Sequence, residues 1–230
     1  NAVETITLNT GTTSVFNKAV DSTAITATTT ASSTFNAAVT NSGAITTGVG
    51  STTVFDSTVS SATLSNSGAM TLKGAVTLSG TMTTVSGSTI TLGSAFKAGS
   101  AAAITAASTS VGTLDQTVNA VTVNVNNQFT TGTVVLFKNT AAALDSDDLA
   151  SFNVTDTAIV DYTAALSSTA KAIEITANKR TTAGIATYLG MSTAQSAALG
   201  QISAAVASGD ATASTALDTV LVAGGSTAVN

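Results

Sequence analysis

The sequence predicts a mainly β protein: a right-handed parallel β-solenoid with a β-rich cap and a C-terminal helical segment. Three observations carry this. First, an aliphatic residue is followed about ten positions later by Phe or Leu, then four positions on by Val or Phe. The series runs Ile6–Phe16–Val20, Ile25–Phe35–Val39, Ile45–Phe55–Val59, Leu64–Leu72–Val76, Met82–Leu92–Phe96 and Ile104–Leu114–Val118. A fixed period of about twenty residues marks a repeat architecture. Second, the residue after the leading aliphatic is always a hydroxyl: Thr7, Thr26, Thr46, Ser65, Thr83 and Thr105. Apolar beside polar is a period of two, the signature of strands with one face inside. Third, Thr, Val, Ser and Gly dominate the repeats. Short helical repeats share the period, but Thr and Val favour strands while Ser and Gly favour turns.

Each repeat is then one coil, and no coil buries its apolar side alone. Stacked at the strand spacing of roughly 4.8 Å, six coils make a rod about 29 Å long. Equivalent residues lie above one another in files, with Ile/Leu/Met, Phe/Leu and Val/Phe inside and Thr/Ser outside. Turn signals fall between the beats: Asn9 with Gly11, Asn41 with Gly43, Asn66 with Gly68, and Gly80. Lys18 shares parity with Phe16 and Val20, so a regular strand there points it inward. The matching positions are Ala37, Ser57, Gly74, Ser94 and Gln116, small in the inner coils and large at the two ends.

The solenoid is expected over residues 1–128, ending in the alternating strand Val121–Val125 and a polar turn, Asn126–Gln128. Residues 129–178 form the cap. Phe129 and the run Val134–Phe137 read as a buried strand, followed by strands at Phe152–Thr155, Ile159–Tyr162 and Ala172–Thr176. A solenoid end needs such a cover, because bare strand edges pair with other chains. Residues 179–230 turn Ala-rich and helical. Thr181 or Thr182 caps a segment with Ile185, Tyr188 and Leu189. Ser192 or Thr193 caps a second, with Leu199, Ile202, Ala205 and Val206 on one face, broken at Gly209. Asp210 or Thr212 starts a third, with Leu217, Val220 and Leu221.

Composition removes several function classes. Charged residues are 8 % of the 230, with 7 basic against 12 acidic and a net charge of −5. Seven scattered cations give no patch for nucleic acid or an anionic membrane surface. Disordered chains are usually charge-rich and poor in β-branched residues, the reverse of this one. No stretch is long and apolar enough to span a membrane as a helix. Cys and His are both absent, which removes disulfides, thiolate metal sites and every His-activated nucleophile. The expectation is a protein without enzymatic activity and without a cofactor.

Two clusters remain as candidates. Asp145, Asp147 and Asp148 are grouped; they read as a solvated acidic loop, with a weak Ca²⁺ site as the sharper alternative, because carboxylate oxygens suit a hard cation. No apolar run flanks them on both sides to raise a carboxyl pKa. The row Thr7, Thr26, Thr46, Ser65, Thr83 and Thr105 is the second. Paired hydroxyls occur at Thr5/Thr7, Thr63/Ser65 and Thr81/Thr83, while Ala24, Ala44 and Ala103 interrupt the neighbouring column. Flat Thr columns suit ice binding; the plainer reading is that Thr is a good outward residue on a sheet. Asn153–Val154–Thr155 fits the glycosylation acceptor pattern. A polysaccharide-acting solenoid needs carboxylates on an outer groove, and the row that follows the Phe/Leu file offers only Asp56 and Asp115.

The layout resembles a known family. The Thr/Ser/Gly/Ala-rich solenoid is followed by Gln128–Phe129, Thr133–Val134–Val135–Leu136–Phe137, Tyr162 and Ala172–Ile173–Glu174–Ile175–Thr176–Ala177–Asn178–Lys179–Arg180, then by an Ala-rich helical segment. This is similar to the C-terminal part of a type V autotransporter passenger: β-helix, cap module and linker helix. The resemblance implies export to the bacterial cell surface and a role as adhesin or surface-layer material. No membrane barrel follows Asn230, so it also implies a piece cleaved or cut from a longer precursor. The expected function is a non-enzymatic extracellular subunit of a filament or surface layer, forming homo-oligomers or polymers and contacting a host or surface receptor. The alternative is an ice-binding protein.

Overall fold

The computed structural model describes residues 4–107, 121–125, 131–208 and 212. The chain is a parallel β-solenoid through its first half. Five coils carry three strands each. The first is β1 (Ile6–Leu8), β2 (Thr13–Phe16) and β3 (Val20–Ser22); the second is β4 (Ile25–Ala27), β5 (Ser32–Phe35) and β6 (Val39–Asn41). The third is β7 (Ala44–Thr47), β8 (Thr52–Phe55) and β9 (Val59–Ser61); the fourth is β10 (Thr63–Asn66), β11 (Ala69–Leu72) and β12 (Val76–Leu78). The fifth is β13 (Met82–Thr84), β14 (Ser88–Leu92) and β15 (Ile104–Ala106). Each strand pairs with its equivalent one coil away, giving three sheets ordered β1-β4-β7-β10-β13, β2-β5-β8-β11-β14 and β3-β6-β9-β12-β15.

The expected files exist. Ile6, Ile25, Ile45, Leu64 and Met82 are register partners along the first sheet. Phe16, Phe35, Phe55, Leu72 and Leu92 line up along the second. The first three are stacked rings, with centroids 4.7 Å and 5.2 Å apart. The strand spacing alone dictates that separation. Val20, Val39, Val59 and Val76 form the third file.

Two expectations fail, and each failure has a local cause. Lys18 does not point inward; it is exposed, because β2 stops at Phe16 and the chain turns a corner before β3 starts at Val20. Phe16 and Val20 share a parity but lie on different sheets. The sixth beat is also out of phase. Ile104 pairs with Val76 and completes the third file, so Thr105 stands beside Thr77 rather than beside Thr83. Phe96 instead lies in the segment inserted between β14 and β15, where it is buried. That insertion happens to restore the spacing from Met82 to Ile104, which mimics a repeat. Leu114, Asp115 and Val118 lie outside the described residues.

Corners between the first and second sheets follow one rule. In the first, second, third and fifth coils the turn has four residues: Asn9–Thr12, Thr28–Ala31, Gly48–Ser51 and Val85–Ser88. Each is closed by a hydrogen bond from the fourth N–H to the first carbonyl. The third residue of each has positive φ: Gly11, Thr30, Gly50 and Gly87. Glycine is the natural occupant there, and Thr30 is the exception. The fourth coil turns in two residues, Ser67 and Gly68. A Cβ on Gly68 would sit 2.6 Å from the Gly48 and Ser51 carbonyl oxygens, so only glycine fits the tight stack.

The stack continues through the expected last solenoid strand, Val121–Val125, into strands expected to form the cap. β16 (Val121–Val125) pairs parallel with β14, β17 (Gly132–Asn139) with β15, and β18 (Phe152–Thr155) with β16. Between the last two lies helix α1 (Ser146–Ala150). β19 (Val160–Leu166) and β20 (Ala172–Lys179) then add to the third sheet in the order β19-β20-β17. Their pairing runs antiparallel. Ser167 donates its N–H to Ala172 and Arg180 to Ile159, so the sequence numbers move in opposite senses. Asn139 donates to Lys171 while Thr133 meets Thr176, which sets β20 against β17 the same way.

The chain forms two compact units, Asn1–Thr155 with Tyr162–Thr176, and Asp156–Asp161 with Ala177–Asn230. Within the second, α2 (Thr182–Tyr188) starts at Thr181, whose side chain accepts from the Gly184 N–H. α3 (Thr193–Ala207) starts at Ser192, where the Ser192 hydroxyl accepts from the Gln195 N–H and the Gln195 side-chain Oε1 accepts from the Ser192 N–H. This reciprocal pair is a capping box. Ile185, Ala186 and Leu199 are the buried contacts, with Ile159, Leu189 and Met191 packed on them. Leu217, Val220, Leu221 and the side chain of Val206 lie outside the described residues, as do Asn126–Phe129.

Candidate functional site

Three places carry side chains that could act outward, and the strand register decides what each can do. On the first sheet Thr7, Thr26, Thr46, Ser65 and Thr83 are consecutive register partners. They form a single unbroken outward hydroxyl column. Thr105 belongs to the third sheet, in the row Thr40, Ser60, Thr77 and Thr105. The second sheet carries two outward columns that sequence reading missed. One runs Thr13, Ser32, Thr52, Ala69, Thr89, Thr122, Asn153; the other runs Val15, Thr34, Val54, Thr71, Thr91, Asn124, Thr155. Neither holds a charge. The signal was the x-Thr-x-Val/Thr alternation before each Phe or Leu, which the larger apolar beat overshadowed.

The acidic run is a capped helical turn rather than a loop. Asp145 is the N-cap of α1, accepting from the Asp147 and Asp148 N–H groups at 3.0 Å, and Asp148 Oδ2 accepts from the Asp145 N–H at 2.9 Å. Asp148 is only 2 % exposed. Burial, with the Asp145 and Asp147 charges adding to it, pushes its carboxyl above the ordinary aspartate range. The expectation that nothing there raises a pKa is therefore corrected: Asp148 is buried in the fold although no apolar run flanks it in the sequence. The Asp145 and Asp148 carboxylates are turned onto backbone amides of the helix start. Among the described residues, no group of three or more acidic side chains could hold a metal ion.

The third place is Arg180, within the second unit. Its Nη2 lies 2.6 Å from Asp156 Oδ2 and 3.6 Å from Asp161 Oδ1. Its Nε donates to the Thr157 carbonyl at 3.3 Å, and its guanidinium sits 4.7 Å from the Tyr188 ring centre. Tyr188 closes the circuit by donating to the Asp156 carbonyl. A cation with two carboxylates and an aromatic face is satisfied within itself, so this knot organises structure. Asp56, considered above as a carboxylate on the repeats, is paired to Lys73 at 2.8 Å on the surface. Helices α2 and α3 flank an open groove of about 490 Å³ whose lining, from Ala183 to Ala197, holds no titratable side chain. No helix among the described residues is long and apolar enough to cross a membrane.

No protein family, no curated protein and no solved structure matches this chain.

Proposed function

We propose that this is a non-enzymatic extracellular structural protein, a self-assembling subunit of a cell-surface filament or surface layer with an adhesive role. On this reading it corresponds to the C-terminal part of a type V autotransporter passenger, displayed on a bacterial surface and free to meet a host or surface receptor. One observation carries the reading. The outward columns of the second sheet, Thr13 to Asn153 and Val15 to Thr155, run through seven paired strands without a charge. A regular face without charges offers a second copy of the chain a surface to pack on, since the centres of protein interfaces are depleted of charged residues. The scarcity of charge on the coils lowers the repulsion that identical subunits must overcome.

Negative-stain electron microscopy of the purified chain, with sedimentation across a concentration series, tests this. Fibres or sheets are the expected result; a strictly monomeric species at high concentration refutes it. A second reading, ice binding, is favoured by the unbroken column from Thr7 to Thr83 and by the two uncharged columns on the second sheet. Thermal hysteresis above the colligative value would promote it, and its absence removes it.

A further inference from the structure

Asn153–Val154–Thr155 is the Asn-x-Thr acceptor pattern for N-linked sugars, and its middle residue is not proline. The three residues end β18, the terminal strand of the second sheet. Residues two apart in a strand share a face. Phe152 is buried, while Asn153 and Thr155 are both exposed on the outward side. The fold therefore presents the amide and the hydroxyl to solvent together, roughly 7 Å apart along the strand.

Asn153 differs from the asparagines that build the fold. Asn36 donates to Asn17 at 2.7 Å, and Asn41 donates to Ser61 at 2.9 Å. Asn66 accepts from the Thr47 hydroxyl at 2.6 Å, and Asn139 accepts from the Ala141 N–H at 3.0 Å. Those four amides tie coils or a turn together. No hydrogen bond joins the Asn153 side chain to a described residue. We propose that Asn153 is an attachment site for an N-linked sugar, delivered from a nucleoside diphosphate sugar.

In the transfer, the Asn153 side-chain nitrogen attacks the anomeric carbon of the donor. The C–N bond forms as the C–O bond to the nucleoside diphosphate breaks, and the nitrogen passes one proton to a base of the transferase. An amide nitrogen is a poor nucleophile, because resonance draws its lone pair into the carbonyl, so it reacts only when twisted out of conjugation. A side chain locked by hydrogen bonds resists that twist; one without partners does not. The Thr155 hydroxyl, on the same face, is within reach of the enzyme that holds the amide.

The surroundings suit a sugar. Asn153 and Thr155 stand beside Thr122 and Asn124 in register, with Thr89 and Thr91 one strand further. Hydroxyl and amide groups can both give and take hydrogen bonds from a hexose. Among the described strands, β18 has a neighbour on one side only, so an extended acceptor is approached along an open edge. Asn153 marks the last strand of the face on which a second copy would pack. A sugar there leaves the earlier strands open, and the site does not depend on assembly.

The test uses the folded chain, UDP-glucose and a soluble N-glycosyltransferase that reads Asn-x-Thr, followed by intact mass and peptide mapping. One hexose on Asn153 is expected. Its rate should lie within about tenfold of that for an isolated peptide of residues 148–160, since a terminal strand opens locally at low cost. Asn153→Gln and Thr155→Ala are expected to lose the modification, and Thr155→Ser to keep it. Both positions are exposed, so circular dichroism of the variants should match that of the parent. A folded chain left unmodified while the peptide is modified overturns the inference, because the fold then hides the site. Failure of chain and peptide alike overturns it, as does a hexose on another asparagine in place of Asn153.

Discussion

Replacing Phe35 by Ala probes the stacked files most directly. Phe35 is fully buried and lies between two rings, Phe16 at 4.7 Å and Phe55 at 5.2 Å, nearly parallel to each. Deleting a buried Phe side chain costs about 3–5 kcal/mol in transfer and cavity terms. The ring has partners on both faces, each contact worth roughly 0.5–1.5 kcal/mol beyond burial. The cost therefore belongs at the upper end, about 5 kcal/mol. Phe16 is half-buried and has one ring neighbour, so Phe16→Ala is expected to cost about 2 kcal/mol by the same scale. Urea unfolding followed by far-ultraviolet circular dichroism measures both, and the slope of the transition reports whether the coils still unfold together. A Phe35→Ala penalty no larger than that of Phe16→Ala would refute the stacked file, because it would mean that the two positions have the same surroundings.

Thr30 holds a left-handed backbone, φ 58°, that suits β-branched residues poorly, so Thr30→Gly is expected to stabilise by about 0.5–1 kcal/mol in thermal unfolding despite glycine's entropy. Asn41 is buried and bridges coils, accepting from the Ser22 hydroxyl at 3.0 Å and donating to Ser61 at 2.9 Å. Asn41→Leu strands the Ser22 hydroxyl and is expected to cost about 1–3 kcal/mol by urea unfolding. Asp148 is raised by burial, so its folded form binds a proton more tightly than its unfolded form. Its stabilising contribution is complete below the ordinary aspartate pKa and is lost as pH rises through the higher folded value. Asp148→Asn keeps a side-chain acceptor for the Asp145 N–H, and the difference in unfolding free energy between the two proteins should grow over that pH range and be flat above it.

The interior of the solenoid was legible because each coil repeats the same three apolar demands. Ile25, Phe35 and Val39 sit where their spacing puts them, since a file of side chains tolerates little change in size or phase. The corners were not legible in the same way. Lys18 was misplaced because parity was carried across a bend, and a period of two has no meaning where the strand stops. Ile104 was misassigned because an inserted segment of suitable length imitates a coil. The burial of Asp148 could not be read from its neighbours, because a run of three carboxylates in five residues ordinarily marks a solvated segment. The caps at Thr181 and Ser192 were each one of two adjacent candidates in the sequence, and Gln195, three residues on, is the signal that singles out Ser192.

The candidate surfaces follow the same division. Inward positions are constrained by the stack above and below, so they announce themselves as a beat. Outward columns such as Thr52–Ala69–Thr89 are constrained only by strand preference, and they become visible once the register is known. The two-residue turn of the fourth coil is a third case. Its sequence trace is a shortened interval between Phe55 and Leu72, seventeen residues where the Phe35-to-Phe55 interval is twenty. Within a beat that already varies, that shortening is indistinguishable from noise until the turns are aligned. A solenoid spends its repeats on the interior, and a missing pair of residues can only be taken up at a corner, where no neighbour file is broken. The shortened fourth-coil turn is one such place, and the segment between β14 and β15 that holds Phe96 is another.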